Sequence, residues 1–283
     1  MPSGPGKRMV TTKIRQRFRH LLIVLFLAVA TLSSHAGEKR LPVLGIQGDD
    51  DRVLARSADY PWSAIGRLNS TIGGFCTGTV VGPRLVLTAA HCLWNRRTGD
   101  WLPPCALHFL AGYRQGHYVA HAQVVSYQLS GGEAMRRRGK PADPSGDWAV
   151  LILNRNLEAV TGVIPTALLD VPPPTSETGT AEAEYLQAGY SRDHPHMLTV
   201  HKGCELIGSS NTAGLLLHTC DATFGDSGSP ILRRRGSKYH LVGMHVAVNP
   251  AKQKGIAVTG TAFHQWLLDL DPPVSSDVLK SSC

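Results

Sequence analysis

Between Tyr60 and Ala262 the apolar residues come in short bursts, and no burst is long enough for a sizeable helix. PWSAIGRL, CTGTVVG, RLVLTAA, HYVAHAQVVSY and DWAVLIL are followed by LLLHTC, SPILRR, HLVGMHVAV and GIAVTGTA. Most are rich in Val, Ile, Leu or Thr, and Gly, Pro, Asn and Asp break them apart. That pattern predicts β-strands joined by turns, and so an all-β chain of barrels or sandwiches. The segment from Asn154 to Thr180, with Pro165 and Pro172-Pro173-Pro174, reads as a connection between two halves. Near the end, Phe263, Trp266, Leu267 and Leu270 fall on one face of a short helix, halted by Pro272 and Pro273.

The first residues have a different character. Lys7, Arg8, Lys13, Arg15, Arg17 and Arg19 carry positive charge with no acid among them. The apolar run LLIVLFLAVATL over residues 21–32 follows, and then Ser34-His35-Ala36. This order predicts a secretory signal peptide cut after Ala36. The apolar run is shorter than the roughly 20 residues of a bilayer span. Removal leaves 247 of the 283 residues and a net charge of +2 instead of +8. The basic balance is thus largely a targeting feature, and no nucleic-acid partner is expected. No membrane association is expected after cleavage, and the chain is expected to be secreted or periplasmic. All six cysteines lie beyond the cut, as suits an oxidising compartment. Local spacing pairs Cys76 with Cys92 and Cys204 with Cys220, which by elimination leaves Cys105 for Cys283.

The stretch CDATFGDSGSP, residues 220–230, puts a serine between glycines. Glycine adopts backbone angles closed to other residues, so Ser227 can be held exposed with free N–H groups beside it. Serine is a weak nucleophile unless a base activates it. RLVLTAAHC, residues 84–92, offers His91 after a strand-like run, and SGDWAVLIL offers Asp147 at the mouth of an apolar strand. The three fit one mechanism: Ser227 attacks a carbonyl, His91 carries the proton, and Asp147 orients the imidazole. The N–H groups of Gly225 and Ser227 would face the oxyanion. Asp143 is a rival acid, in a loop before Pro144 with no apolar strand behind it.

TAAHC, GDWAVLIL and GDSGSP, in that order, resemble the chymotrypsin-like (trypsin-like) serine proteases. PWSAIGRL, the Ser-Gly-Ser-Pro ending and the Gly-Met-His at 243–245 resemble a bacterial secreted branch that includes glutamyl endopeptidases. The resemblance implies two perpendicular six-stranded β-barrels with a short C-terminal helix. After the signal peptide over 1–36 and a polar leader or short propeptide over 37–56, both read from the residues, the resemblance implies an N-terminal barrel over 57–160. A linker over 161–180, a C-terminal barrel over 181–262 and a helix and tail over 263–283 complete the division. The activity implied is that of a serine endopeptidase acting on proteins or peptides through a seryl acyl-enzyme. A monomer with no cofactor and no metal is expected. The rival reading is a secreted binding protein that keeps the protease fold without catalysis.

Specificity is divided. By the resemblance Asp221 sits at the floor of the primary pocket and favours a basic residue before the cut. His245 matches the histidine by which glutamyl endopeptidases hold an acidic one. Val248 stands where open-pocket relatives carry glycine and would narrow the entrance. The reading leans to basic substrates and keeps acidic ones open. Asp226 matches the acid that pairs with a new N-terminal amine in trypsin-like relatives, but no strong Ile-Val-Gly-Gly start is visible. Lys39-Arg40 or Arg56 could mark a processing site. His194, His196, His117 and His121 lack the supporting ligands of a closed zinc site. Arg136–Arg138 and Arg233–Arg235 read as solvated loops.

Overall fold

The bursts of apolar sequence become strands, a few alternating between buried and partly exposed residues and others buried along most of their length. The computed structural model describes Met1 and residues 43–130, 135–136, 140–141, 144–169, 183–209 and 214–270. The signal peptide over 1–36, the first leader residues, Asp143 and the Cys105–Cys283 pairing lie outside the described residues. The chain divides into a unit of residues 1–42 and a unit of residues 43–283, and the elements below belong to the second.

A two-residue strand, β1 (Val53–Leu54), precedes β2 (Ile65–Ser70), β3 (Phe75–Gly82) and β4 (Leu85–Thr88). A small ribbon of β5 (Trp94–Asn95) and β6 (Asp100–Trp101) leads to β7 (Leu107–Ala111) and β8 (Ala120–Leu129). A second ribbon, β9 (Met135–Arg136) and β10 (Lys140–Pro141), leads to β11 (Ala149–Leu153). The order β11–β4–β3–β2–β7–β8 closes into a six-stranded antiparallel barrel. All five residues of β11 are buried, as an unbroken apolar strand requires. Gly66 and Gly78 face each other across β2 and β3. A Cβ at Gly66 would lie 2.4 Å from the Phe109 ring, and one at Gly78 2.7 Å from Val86. Paired glycines thus make the hollow that the fully buried Phe109 fills.

The second half holds α1 (Glu158–Thr161), β12 (Glu184–Gly189), β13 (Thr199–Lys202), β14 (Leu206–Ser209) and β15 (Leu215–His218). Then come β16 (Pro230–Arg235), β17 (Lys238–Asn249), β18 (Lys254–Thr259) and α2 (Gly260–Asp269). Its antiparallel sheet has eight strands in the order β1–β13–β12–β16–β17–β18–β15–β14. The all-β architecture matches the sequence expectation. In detail the second sheet takes in β1 from far upstream, paired as Val53↔Val200 and Leu54↔Thr199. Two residues are too few to carry a strand signature. Arg233–Arg235 ends β16 and is no loop, and Arg234 bonds Glu184 on the neighbouring β12 at 2.9 Å.

The described part of the connection is also fastened. Ala167 N–H donates to the Leu241 carbonyl and Leu241 N–H to the Pro165 carbonyl, each at 2.9 Å. Helix α2 begins at Gly260, three residues before its apolar stripe. A Cβ there would meet the Ala167 carbonyl at 2.3 Å, so only glycine fits the first turn. Phe263 and Trp266 of α2 pack on Trp148, with ring centroids 6.2 and 5.3 Å away. One apolar cluster runs from Ile65, Phe109 and Leu151 through Tyr190 to Met244 and Phe263, so both halves share it. Among the described residues no helix is long and apolar enough to cross a membrane.

Candidate active site

Strand β4 ends in Thr88, and the buried Ala89 and Ala90 let the chain turn tightly into a 3-10 helix, Ala90–Leu93, that carries His91. The Cys76–Cys92 disulfide ties this turn to β3. Asp147 lies just before β11, behind a 3-10 turn, Pro144–Gly146, and is 7% exposed. Its Oδ1 accepts the His91 backbone N–H at 2.9 Å, and its Oδ2 lies 2.7 Å from His91 Nδ1. A carboxylate can only accept, so Nδ1 carries the proton and Nε2 presents its lone pair. A ring nitrogen of His91 and the sulfurs of Cys76 and Cys92 lie within 4.8 Å of one another. The sulfurs are bonded to each other, so this is a packing contact and not a ligand set.

The described hydrogen bonds join His91 to Asp147 and stop there. Ser227 reaches the pair through its backbone. Its carbonyl accepts the Thr77 N–H at 2.9 Å and lies 3.9 Å from Cys92 Sγ, one residue from His91. Gly228 has φ +85°, and a Cβ on it would lie 2.1 Å from the Thr77 carbonyl and 3.1 Å from Ala89 N. The serine turn is therefore pressed onto the strand and turn that hold His91. Gly225 has φ +98°, and a Cβ there would meet the Tyr190 carbonyl at 2.5 Å and the Phe75 ring at 2.6 Å. Thr77 is the hub. Its hydroxyl donates to the Gly225 carbonyl at 3.1 Å and accepts the Tyr190 N–H at 2.9 Å. Thr88 Oγ1 in turn donates to the Thr77 carbonyl at 2.8 Å. Thr77 has no sequence signature. Its one cue is its place directly after Cys76.

Asp226 is 1% exposed. Its Oδ2 accepts from Ser191 Oγ and from the Thr223 N–H, each at 2.7 Å. Burial pushes its carboxyl up to about 6, against those two bonds and the more distant Arg52.

The three pocket candidates take different places. Asp221 is 2% exposed, and its carboxylate is already engaged. Oδ1 accepts the Gln47 N–H at 2.8 Å, and Oδ2 accepts the Asp51 N–H at 3.4 Å. His201 Nδ1 lies 3.1 Å from the Asp221 N–H and 3.3 Å from its carboxylate. An N–H can be met only by a lone pair, so Nδ1 is an acceptor there and the second contact is no ion pair. His245 is buried in β17, beside the serine turn. Its N–H donates to the Ser229 carbonyl and its carbonyl accepts the Gly228 N–H, each at 2.8 Å. Its Nδ1 lies 3.0 Å from Nε2 of the buried His218. Burial, then the nearby His91, pushes the His245 imidazole down to about 3. Burial, then His245 and His201, holds His218 well below its ordinary range. Val248 faces the N-terminal segment, its Cγ2 3.1 Å from where a Gly45 Cβ would stand. The disulfide Cys204–Cys220 fixes the approach to Asp221.

Two of the other candidate histidines have aromatic or imidazole partners. His196 bonds the Tyr113 hydroxyl at 2.8 Å, and His121 stacks on His108 with their nitrogens 3.1 Å apart.

A closed β-barrel, a second antiparallel sheet and a histidine–carboxylate pair beside a Gly-Asp-Ser-Gly turn define a chymotrypsin-like class. The Trypsin family model matches residues 52–267, and the chain belongs to that family. It is 37% identical over 60 residues to a glutamyl endopeptidase of Bacillus licheniformis, covering 21% of this chain and 19% of that protein. It is 24% identical over 272 residues to a trypsin of Phaedon cochleariae, covering 88% and 97%. The first two curated relatives are matched over only 19% and 27% of their own length. A solved structure of Glu endopeptidase in complex with MPD has the same fold, with TM-score 0.62, 20% identity and coverage of 80% and 97%.

Proposed function

We propose that the protein is an exported serine endopeptidase that cuts after acidic residues. The observation that carries the reading is the His91–Asp147 pair at 2.7 Å, with the serine turn packed against the same strand through Gly228. Ser227 Oγ adds to the scissile carbonyl as His91 Nε2 takes its proton. The Gly225 and Ser227 N–H groups stabilise the resulting oxyanion. The C–N bond then breaks, and His91 returns the proton to the departing amine. Water, deprotonated by His91, hydrolyses the seryl ester and regenerates Ser227. Substrates are proteins or peptides, and the two disulfides suit an oxidising compartment outside the cytoplasm.

The lean toward basic substrates gives way here to the acidic alternative. Asp221 is 2% exposed and both of its oxygens accept backbone N–H groups of the N-terminal segment, which argues against its meeting a substrate lysine or arginine. The neutral His245–His218 pair shares one N–H across its 3.0 Å contact and keeps one further ring N–H, in the strand next to the serine turn, and the name of the Bacillus licheniformis relative points the same way. A substrate carboxylate entering there would favour proton uptake by the pair.

Labelling with a serine-directed phosphonate tests the enzyme reading. Stoichiometric modification of Ser227 is expected, and an unmodified, folded, processed protein would favour a binding protein on a protease fold. A peptide panel tests specificity. We expect glutamyl peptides to exceed lysyl ones by on the order of a hundredfold in kcat/KM, with the preference lost in His245→Ala.

A further inference from the structure

The segment that runs into β1 is bound to the nucleophile loop at three consecutive residues. Asp221 accepts the Gln47 and Asp51 N–H groups, and the Ala222 N–H donates to the Gly45 carbonyl at 3.0 Å. The third link runs through a buried cation. Arg52 has a side chain only 2% exposed, enclosed by two carboxylates. Its Nε and Nη2 donate to Asp50 at 2.8 and 2.7 Å, its Nη1 donates to Asp193 at 3.2 Å, and its Nη2 also meets Asp193 Oδ2. Asp193 Oδ1 accepts Thr223 Oγ1 at 3.1 Å, and the Thr223 N–H donates to Asp226 at 2.7 Å. Asp226 directly precedes Ser227.

We infer that Arg52 is a positioning residue for catalysis: through Asp193 and Thr223 it holds the loop that carries the Gly225 and Ser227 N–H groups in its oxyanion-binding form.

The inference rests on the serine endopeptidase reading above. A guanidinium withdrawn from water is costly unless its hydrogen bonds are met, so burial of Arg52 here is tied to these partners. The nucleophile loop contains Gly225 at φ +98° and Gly228 at φ +85°, both outside the regions ordinary residues prefer, so the turn depends on its surroundings to keep that shape. Among the described residues Asp226 receives two neutral donors and no direct cation, and burial makes its carboxyl hard to ionise. Arg52 supplies a fixed positive charge nearby without a newly cut chain end. The anchors at Gly45, Gln47, Asp51 and Arg52 are all internal residues, so they do not depend on where the chain is cut upstream of Val43.

The test uses the full chain with Arg52→Gln, Arg52→Lys, Thr223→Val and the Arg52→Gln/Thr223→Val double variant. Thr223→Val keeps the shape and the backbone N–H and deletes the hydroxyl's bond to Asp193 together with its longer 3.5 Å contact to the Phe224 carbonyl. Active sites are titrated with the phosphonate, so that kcat is counted per reactive Ser227 and lost stability cannot imitate lost positioning. Arg52→Gln is expected to lower kcat on the order of tenfold to a hundredfold with KM changed less than about threefold. Arg52→Lys should recover part of the loss. The double variant should be no slower than the slower single variant, because both changes break one route. Wild-type kcat per titrated site in Arg52→Gln, whatever its melting temperature, overturns the inference. Multiplied losses in the double variant overturn the route through Thr223. Should Arg52→Gln fail to fold, Thr223→Val alone decides: a lowered kcat at unchanged KM supports the inference, and wild-type kcat defeats it. A wild-type protein that the phosphonate leaves unlabelled refutes the enzyme reading itself, a different result from any of these.

Discussion

Gly228 has no room for a side chain. An added methyl would stand 2.1 Å from the Thr77 carbonyl and 2.5 Å from Thr88 Oγ1, at a φ of +85°. Gly228→Ala should therefore destabilise the fold by on the order of 3 kcal/mol, seen in urea unfolding, and suppress phosphonate labelling of Ser227. Asp147→Asn keeps the shape but offers an amide N–H where His91 Nδ1 needs an acceptor. It should fold normally and lose about ten-thousandfold in kcat. His245 gives a pH signature. Its imidazole is held down to about 3 from an ordinary 6.5, so the folded state resists protonation that the unfolded state accepts. Its contribution to stability is complete above about pH 6.5 and is lost as the pH falls toward 3. The melting temperature should drop through that window, and His245→Gln should flatten the drop. The candidate residues His91, Asp147 and Ser227 could be nominated because each sits in a short motif with its own local logic, and the structure joins the first two. The fate of Asp221 was not, since its acceptors are filled by N–H groups 174 and 170 positions away.

Among elements, the strands follow from composition, and what joins them does not. Burial of an uninterrupted apolar run made β11 readable, and the stripe of Phe263, Trp266 and Leu267 made α2 readable. Strand β1 was invisible because a two-residue pairing has no period. The start of α2 was hidden because Gly260 is placed by the Ala167 carbonyl rather than by helix propensity. Helix α2 braces Trp148, the residue after Asp147, through Phe263 and Trp266. Phe263→Ala should cost about 3–5 kcal/mol in urea unfolding, since Phe263 is fully buried and its loss leaves a cavity under that brace.

Across the whole molecule, the candidate residues span positions 91 to 227, and the main apolar cluster is shared by both halves. The N-terminal segment joins the second sheet at one end and the nucleophile loop along its length. Chain pairing and loop support are thus supplied by residues far upstream of the site in sequence. The apolar bursts that become most of the strands, the nomination of His91, Asp147 and Ser227 and the two local cysteine pairs were legible in the sequence alone, because strand composition, turn chemistry and loop closure act over a few to some sixteen residues. Only the tertiary structure decided which donors satisfy Asp221, where Arg52 is buried and which histidine meets His245. A buried polar group must find a partner, but which one it finds depends on what packing brings within about 3 Å, and sequence separation does not record that distance.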